Sequence, residues 1–264
     1  MKNEAPYIVE WIEYHLLVGV SRFYLYDNES EDNVYELLKP YIDNGIVIYQ
    51  YVEGKCMQIP VYNDAIFNYK NETEWMAIID LDEYIVPIST NNINDILKKF
   101  SQYSGLGVNS IMFDSNGYVK KPDLLTTEAY TRRRKNLKSD NCVVKSIVRP
   151  KDVAYNDNPH FCYMKPGKKI VGSDFKEVCG GCAQDCNIDV IRLNHYHTRS
   201  LEEYDIKTKK GFADQLNRRK FIQERCVFDQ ETVEDASIHR YLPKLKENLH
   251  HKQMVGNYVS EKKV

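Results

Sequence analysis

The sequence has no long apolar run and almost no net charge. None of its 264 residues belongs to an uninterrupted apolar stretch of about 20 residues, the length that a membrane-spanning helix needs. Thirty-six basic and 38 acidic side chains give a formal net charge of −2, so no general attraction to nucleic acid or anionic lipid is expected. No secretory leader is expected either, because Met1-Lys2-Asn3-Glu4 is followed by a broken, charged pattern.

A disulfide framework is not indicated either. The seven cysteines are an odd number, and several are isolated in the sequence (Cys56, Cys142, Cys162 and Cys226). A reducing compartment fits this distribution better than an oxidising one. We therefore expect a cytoplasmic protein, with the inner face of the membrane as the alternative location.

The first half of the chain alternates predicted helices and strands. Apolar periodicity predicts helices from Tyr7 to Leu17 and around Val34 to Tyr41, and strands from Arg22 to Asp27 and Ile46 to Tyr51. This alternation is typical of βαβ units and a parallel sheet. Such a sheet needs a strand before the first helix, so we expect one to precede Met1 or to be supplied otherwise.

The second half is richer in loops. Short strands are predicted at Gly107 to Phe113, Lys145 to Arg149 and Val190 to Leu193, separated by irregular segments of the kind that usually carry function. Two helices, Leu201 to Arg225 and Val233 to Leu249, are expected to follow. The predicted fold class is α/β, with a Rossmann-like, mixed but mostly parallel sheet flanked by helices and a helical C-terminal segment.

The most informative stretch is Trp75 to Tyr84, an apolar run that ends in Asp80-Leu81-Asp82-Glu83. Ligands of open α/β sheets bind outside the carboxyl ends of the strands, where these acids are expected. Like charges about 4 Å apart repel by roughly 4 kcal/mol at an effective dielectric constant near 20, and a divalent cation reverses that repulsion. Oxygen ligands suit Mg²⁺ or Mn²⁺. The alternative is a strand end whose acids are solvated.

Separated stretches of the sequence together resemble a known group of enzymes. These stretches are Lys2 to Trp11, Tyr14-His15, Tyr26 to Asn33, Ile79 to Tyr84, and Asn194-His195-Tyr196-His197-Thr198-Arg199-Ser200. They resemble glycosyltransferase family 92 and the family 2-like group, formerly a domain of unknown function. The likeness runs from Lys2 to about Ile238.

The resemblance implies a GT-A fold in one domain, 1–264. Residues 1–100 would form the nucleotide-sugar-binding half and 101–200 the acceptor-binding half, with C-terminal helices over 201–249. It further implies an inverting transfer from a nucleotide diphosphate sugar, UDP-sugar favoured, to a saccharide or lipid-linked saccharide. Bacterial surface-polysaccharide or glycoconjugate assembly would be the setting.

The resemblance also assigns site residues. Asn3 and Glu4 would border the nucleotide, Asp27 would contact the base, and Lys55 with Asn63 would line the donor pocket. Asp80 and Asp82 match the metal and ribose motif, and His195 lies where a late histidine completes the metal or diphosphate site. In contrast, His197 is expected to be structural, because alternate residues of a strand face opposite sides.

The chemistry of the leaving group agrees with these assignments. A cation would neutralise the charge that develops on the departing diphosphate, and Lys55 or Lys210 could add a point charge. A single displacement also needs a base at hydrogen-bond range of the acceptor hydroxyl. Asp114 is the first candidate for this base, followed by Asp157 and His160.

Two further patterns have alternative interpretations. Cys179, Cys182 and Cys186 could supply thiolates to zinc with His160 or His197, but free thiols in a loop are favoured. The basic runs 132–135 and 218–220 could meet an anionic partner, including peripheral contact with a membrane, but a solvated face is favoured. No nucleic-acid partner is expected.

Two rival functions remain open. Sugar-phosphate nucleotidyltransferases also use paired acids on an α/β sheet, but they carry a glycine-rich N-terminal loop that this sequence lacks. A non-catalytic carbohydrate- or metal-binding module could use the 20 tyrosines, whose rings and hydroxyls suit sugars, and the cysteine cluster.

Overall fold

The computed structural model describes residues 1–135, 142–183, 185–210 and 231–261. In these ranges the α-helices are α1 (Ala5–Leu17), α2 (Val34–Asp43), α3 (Gln58–Tyr69), α4 (Ile93–Leu97), α5 (Thr126–Ala129), α6 (Leu201–Lys210) and α7 (Leu242–Glu261). The strands are β1 (Phe23–Asn28), β2 (Val47–Val52), β3 (Met76–Ala77), β4 (Glu83–Pro87), β5 (Gly105–Met112), β6 (Arg132–Arg134), β7 (Val144–Val148), β8 (Val153–Asn156), β9 (Cys162–Met164), β10 (Ile170–Val171), β11 (Ile191–His195) and β12 (Thr232–Glu234).

A mixed six-stranded sheet forms the centre of the molecule. Its strand order is β3-β7-β5-β11-β4, and β10 pairs with β5. The neighbours β5 and β11 are parallel, whereas β4 runs antiparallel to β11 and β7 runs antiparallel to β5. This register sets the last residue of β11, His195, opposite the first residue of β4, Glu83, and the last residue of β5, Met112.

Strands β1 and β2 form a separate parallel pair, as the βαβ pattern predicts. Met1 extends this pair, because its amino group donates to the carbonyl of Tyr26 and its carbonyl accepts from the amide of Asn28. The helix between Tyr7 and Leu17 is confirmed. It ends at Leu17, and Gly19 terminates it with a φ of +103° that favours glycine; a Cβ there would collide with the Asn92 side chain.

Helix α1 joins this pair to the central sheet. Its buried side chains Ile8, Trp11, Ile12 and Tyr14 belong to one apolar cluster with residues of β1, α2, β4 and β5. Two side chains of this helix also donate hydrogen bonds to backbone carbonyls of β4. Trp11 Nε1 donates to the Glu83 carbonyl at 2.9 Å, and the Tyr14 hydroxyl donates to the Ile85 carbonyl at 2.9 Å. Burial on this scale fixes the edge of the sheet that carries the acidic stretch.

The GT-A-like α/β architecture is confirmed, with helices flanking a mixed sheet. The expectation of mostly parallel pairing is wrong for the central sheet, where three described pairs are antiparallel and two are parallel. The predicted helix from Val233 is wrong at its start, because Thr232–Glu234 first pairs with β6 and α7 begins at Leu242. The predicted continuation of α6 to Arg225 lies outside the described residues. Among the described helices, none combines the length and apolar character needed to cross a membrane.

A candidate metal and nucleotide site

The acidic stretch forms a tight turn rather than the end of a long strand. Met76 and Ala77 pair with β7, and the Ile78 amide also donates to the Ser146 carbonyl at 3.0 Å. The chain then reverses in a turn in which the Glu83 amide donates to the Asp80 carbonyl at 3.0 Å. The Asp80 amide in turn donates to Glu83 Oε2 at 2.9 Å. In a strand, Asp80 and Asp82 would share one face, but this turn gives each carboxylate its own set of partners.

Asp82 lies beside two histidines from the end of β11. One ligand atom each from Asp82, His195 and His197 lies within 4.8 Å of the others, and Asp82 Oδ2 is 3.4 Å from His195 Nε2. The Tyr196 amide donates to the Asp82 carbonyl at 2.8 Å, which ties the two segments together. Because β11 ends at His195, the strand rule that separated the two histidines does not apply to His197.

A lysine from α6 completes this cluster. Lys207 Nζ donates to Asp82 Oδ2, to the His197 carbonyl at 3.1 Å, and contacts His197 Nδ1 at 3.1 Å. Burial would raise the pKa of Asp82, but the Lys207 ammonium and the His195 ring hold that pKa well below its usual range. Asp82 is therefore ionised at neutral pH.

Asp80 belongs to a second charge cluster, in which Lys145 and Glu83 are buried and the Asp80 side chain is partly exposed. Its Oδ2 accepts from Lys145 Nζ at 2.8 Å, and Lys145 Nζ is also 3.3 Å from Glu83 Oε2. Its Oδ1 accepts from Gln58 Nε2 and the Tyr62 hydroxyl, each at 2.9 Å. Burial raises the pKa of Glu83, whereas Lys145 outweighs burial at Asp80 and lowers that pKa.

Both acids face a cavity of about 1860 Å³. The segments 1–7, 28–33, 54–62, 80–82 and 195–199 contribute to its wall, together with residues of α6 that include Glu203 and Lys207. The cavity is therefore built from the N-terminal segment, the loops after β1 and β2, the acidic turn and the end of β11.

The predicted site residues divide into two groups by position. The wall of the cavity includes Asn3, Glu4, Lys55, Asp80, Asp82, His160 and His195. Three other predicted residues, Asp27, Asn63 and Asp114, do not line it. Their side chains have neighbours elsewhere in the fold.

Asp27 and Asn63 make hydrogen bonds that stabilise the fold. Asp27 accepts from the Ser30 amide at 3.1 Å and the Tyr49 hydroxyl at 2.7 Å, so it shapes the loop after β1. Asn63 links α3 to the backbone of Asn156 through both of its amide atoms.

Asp114 accepts from the Asn116 amide at 2.8 Å, and burial raises its pKa. Of the candidate bases Asp114, Asp157 and His160, only His160 is part of the cavity wall.

Several residues at the site were not predicted. Lys145 had a sequence signal, since a lysine inside the apolar strand Val144–Val148 must find a partner when that strand is buried. Lys207 had no such signal on a helix rich in charge. The side chain of Lys210, predicted as a phosphate contact, lies outside the described residues.

Arg199 is a further unpredicted residue of the wall. Its guanidinium lies 3.5 Å from the centre of the Tyr7 ring and 3.8 Å from Glu4, and the residue is 8% exposed. Its φ of +50° is a strained value for a non-glycine residue. Arg199 thus places a permanent positive charge beside the acidic turn.

The two other sequence patterns do not join the site. Among the described residues, the only group of three potential metal ligands is Asp82, His195 and His197, so the cysteines from Cys179 to Cys186 do not form one. In the basic run 132–135, Arg133 pairs with Asp235 at 2.7 Å and Lys135 with Glu231 at 2.9 Å. The run 218–220 lies outside the described residues.

The ligand atoms suit a divalent transition metal. One carboxylate and two imidazoles form a mixed oxygen and nitrogen set, which fits Mn²⁺ better than Mg²⁺ because Mg²⁺ prefers oxygen ligands throughout. Residues Asp82, His195 and His197 would hold the ion. Asp80 lines the same cavity but does not belong to this group of three ligands.

Fold and site together define a GT-A-like α/β protein with an acidic turn and paired histidines at the mouth of its sheet. Residues 2–178 match the model of glycosyltransferase family 92. The chain belongs to glycosyltransferase family 92.

Plant proteins of the same family are similar in sequence to this chain. A glycosyltransferase family 92 protein of Oryza sativa subsp. japonica is 28% identical over 181 residues, covering 65% of this chain and 30% of that protein. One from Ricinus communis is 27% identical over 221 residues, covering 81% and 37%. A galactan β-1,4-galactosyltransferase of Arabidopsis thaliana is 29% identical over 125 residues, covering 43% and 25%.

The chain spans about a third of the length of the family 92 relatives it matches. Among solved structures, apo UDP-glucose pyrophosphorylase aligns with 93% of this chain and 87% of its own at 11% identity. The TM-score of 0.26 is too low to support an argument about fold or function.

Proposed function

We propose that this protein transfers a sugar from a nucleotide diphosphate donor, with UDP-sugar favoured, to a hydroxyl of a saccharide or lipid-linked saccharide. The observation that carries the proposal is the convergence of Asp82, His195 and His197 on the wall of a large cavity. Family membership and the galactosyltransferase among the relatives support it.

The donor would lie along the wall of the cavity. The nucleotide would meet the segment around Asn3 and Glu4 and the loop that carries Lys55, all of which line it. A divalent cation, Mn²⁺ in preference to Mg²⁺, would be held by Asp82, His195 and His197 and would stabilise negative charge on the leaving diphosphate. Arg199 adds a fixed positive charge nearby.

The reaction would be a single displacement with inversion. The acceptor oxygen forms a bond to the anomeric carbon as the bond from that carbon to the diphosphate breaks, and nucleoside diphosphate leaves. The hydroxyl proton passes to a base, for which His160 is the best placed of the three predicted residues because it lines the cavity. General-base catalysis of this kind contributes about 10²- to 10⁴-fold to the rate.

Calorimetry with UDP and GDP, with and without Mn²⁺, tests this function. We expect UDP to bind only when Mn²⁺ is present, and slow hydrolysis within a panel of nucleotide sugars to identify the donor. Metal binding without nucleotide binding would instead indicate a non-catalytic module. The bacterial surface-polysaccharide setting and the membrane contact stay predictions, since the relatives described above are plant proteins.

A further inference from the structure

The ammonium of Lys207 contacts two of the three residues that would bind the divalent cation. It donates to Asp82 Oδ2 and lies 3.1 Å from His197 Nδ1, and Asp82 and His197 both belong to the group that could ligate a metal. An ammonium can only donate, so His197 Nδ1 is the acceptor of this contact.

Two cations cannot share these atoms. A divalent ion bound by Asp82 and His197 would lie within a few ångströms of the ammonium, where the repulsion between them is strong. Lys207 must therefore leave when a metal ion enters, and a free metal ion must displace an intramolecular ion pair to bind.

Lys207 is free to move without disturbing the core. Its side chain is 32% exposed and lines the cavity. The start of its helix is fixed independently, because Ser200 and Glu203 cap α6 reciprocally and Glu203 also accepts from the hydroxyls of Tyr7 and Tyr130. Only the flexible four-carbon stem of Lys207 has to change its conformation.

The cavity offers this side chain a second partner once a nucleotide is bound. A diphosphate at the metal would present acceptor oxygens to any ammonium on the same wall. With metal alone, the Lys207 ammonium would exchange its contact with the Asp82 carboxylate for contact with water. With metal and diphosphate together, it would exchange one anionic partner for another.

We propose that Lys207 is an internal cation that excludes divalent metal from Asp82 and His197 in the nucleotide-free protein and then binds the donor diphosphate. This inference rests on the proposed function, since it requires a diphosphate ligand. It makes metal and nucleotide bind cooperatively, so that the metal site is filled mainly in the presence of the donor.

Replacement of Lys207 by the neutral methionine tests the exchange. In Lys207→Met without nucleotide, we expect the Kd for Mn²⁺, measured by the electron paramagnetic resonance signal of free Mn²⁺, to fall at least tenfold. With saturating Mn²⁺, we expect the Kd for UDP to rise about tenfold in the same variant. Lys209→Met, at an exposed position of the same helix, should change neither constant.

The outcomes separate this proposal from the proposed function. Mn²⁺ binding that is unchanged, weaker or absent in folded Lys207→Met, with folding checked by circular dichroism, overturns the exchange. UDP binding that needs no Mn²⁺ but is lost in the variant also overturns it and makes Lys207 the permanent cation of a working site. Failure of UDP to bind under any condition counts against the transferase function, while the Mn²⁺ titration still decides whether Lys207 excludes the metal.

Discussion

At the scale of single residues, the two aspartates of the acidic turn have different surroundings. Asp82 contacts Lys207 and His195, whereas Asp80 contacts Lys145, Tyr62 and Gln58. Only Asp82 belongs to the group with metal-binding geometry. On one strand face, both carboxylates of an Asp-x-Asp pattern could contact the same ion. In this turn, Asp82 lies in the candidate metal group and Asp80 pairs with Lys145.

Comparison of Asp82→Asn with Asp80→Asn tests this division. Asp82→Asn should weaken Mn²⁺ binding more than tenfold and abolish turnover with little change in stability, because an amide cannot replace the charged ligand. Asp80→Asn should change Mn²⁺ affinity less, since Asp80 lies outside the ligand group. Equal loss of Mn²⁺ affinity in both variants, measured by calorimetry, would show that both acids bind the metal.

Lys145 should be important for stability. It is 1% exposed and lies between Asp80 and a Glu83 that is also 1% exposed, so removal of its charge leaves a buried carboxylate without a counter-ion. Lys145→Met should lower the free energy of unfolding by about 3 kcal/mol, measured by urea denaturation. The double variant Lys145→Met/Glu83→Gln should recover part of this loss, and strict additivity of the two changes would argue against the coupling.

At the scale of elements, short polar contacts position the pieces that meet at the site. The capping box of Ser200 and Glu203 starts α6 about two turns before Lys207, with hydrogen bonds of 3.0 and 3.2 Å. Glu10 of α1 binds the amides of Thr126 and Thr127 at the start of α5. These carboxylates satisfy helix termini that would otherwise leave donors without acceptors.

Ser200→Ala should destabilise the protein by about 1 kcal/mol, the usual effect of losing an N-cap. Because α6 carries Lys207, the same variant should also weaken UDP binding in the presence of Mn²⁺, measured by calorimetry. Ser101→Ala, at an exposed position, should leave both quantities within about 0.5 kcal/mol of their original values. Loss of stability without any change in UDP binding would separate the cap from the site.

Asp235 links β11 to the β6–β12 pair. Its carboxylate oxygens lie 2.7 Å from a guanidinium nitrogen of Arg192 and 2.7 Å from one of Arg133. Burial favours the neutral acid, but the hydrogen bonds from the two guanidinium groups hold the pKa of Asp235 below its usual range. A depressed pKa in the folded state means that the stabilisation is fully present above the unfolded pKa of about 3.9 and is lost as the pH falls below it.

Asp235→Asn should therefore reduce stability by about 3 kcal/mol at pH 7, because Arg192 remains buried without a charged partner. The difference from the original protein should shrink as the pH falls below about 4. Urea denaturation at several pH values measures this, with Asp43→Asn at an exposed pair as the matched control. A difference that does not vary with pH would exclude the ionised carboxylate as its cause.

At the scale of the whole molecule, the cavity joins segments that are far apart in the chain. Its wall includes both the N-terminal residues 1–7 and Lys207 of α6. A ligand that contacts all of these segments binds the folded state and not the unfolded one. Binding should therefore stabilise the whole fold rather than one loop.

UDP with Mn²⁺ should raise the melting temperature. At a ligand concentration of about 100 times Kd the expected stabilisation is about 2.7 kcal/mol, which corresponds to roughly 5–10 °C for a protein of this size. Scanning fluorimetry with UDP alone, Mn²⁺ alone and both together measures the shift. A shift with UDP alone equal to that with both ligands would contradict a metal-dependent site.

The fold was largely predictable because its elements have clear local patterns. Helical spacing between Tyr7 and Leu17 and the β-rich runs that became β1, β2 and β11 appear in the structure close to their predicted bounds. The chain around Val233 was predicted as helix, but pairing with β6 makes it a strand. That pairing joins segments about a hundred residues apart, which no local pattern records.

The sequence by itself determined that Asp80, Asp82 and His195 follow apolar segments, and so lie at the edge of a sheet, because strand periodicity and turn chemistry are local properties. Only the tertiary structure decided that Asp82 joins His195 and His197 while Asp80 turns to Lys145, and that Lys207 reaches the site from 125 residues away. These contacts depend on strand order and on one reversal of the chain at the acidic turn. The free energy that stabilises them comes from the packing of the whole core, so the sequence around each residue does not contain it.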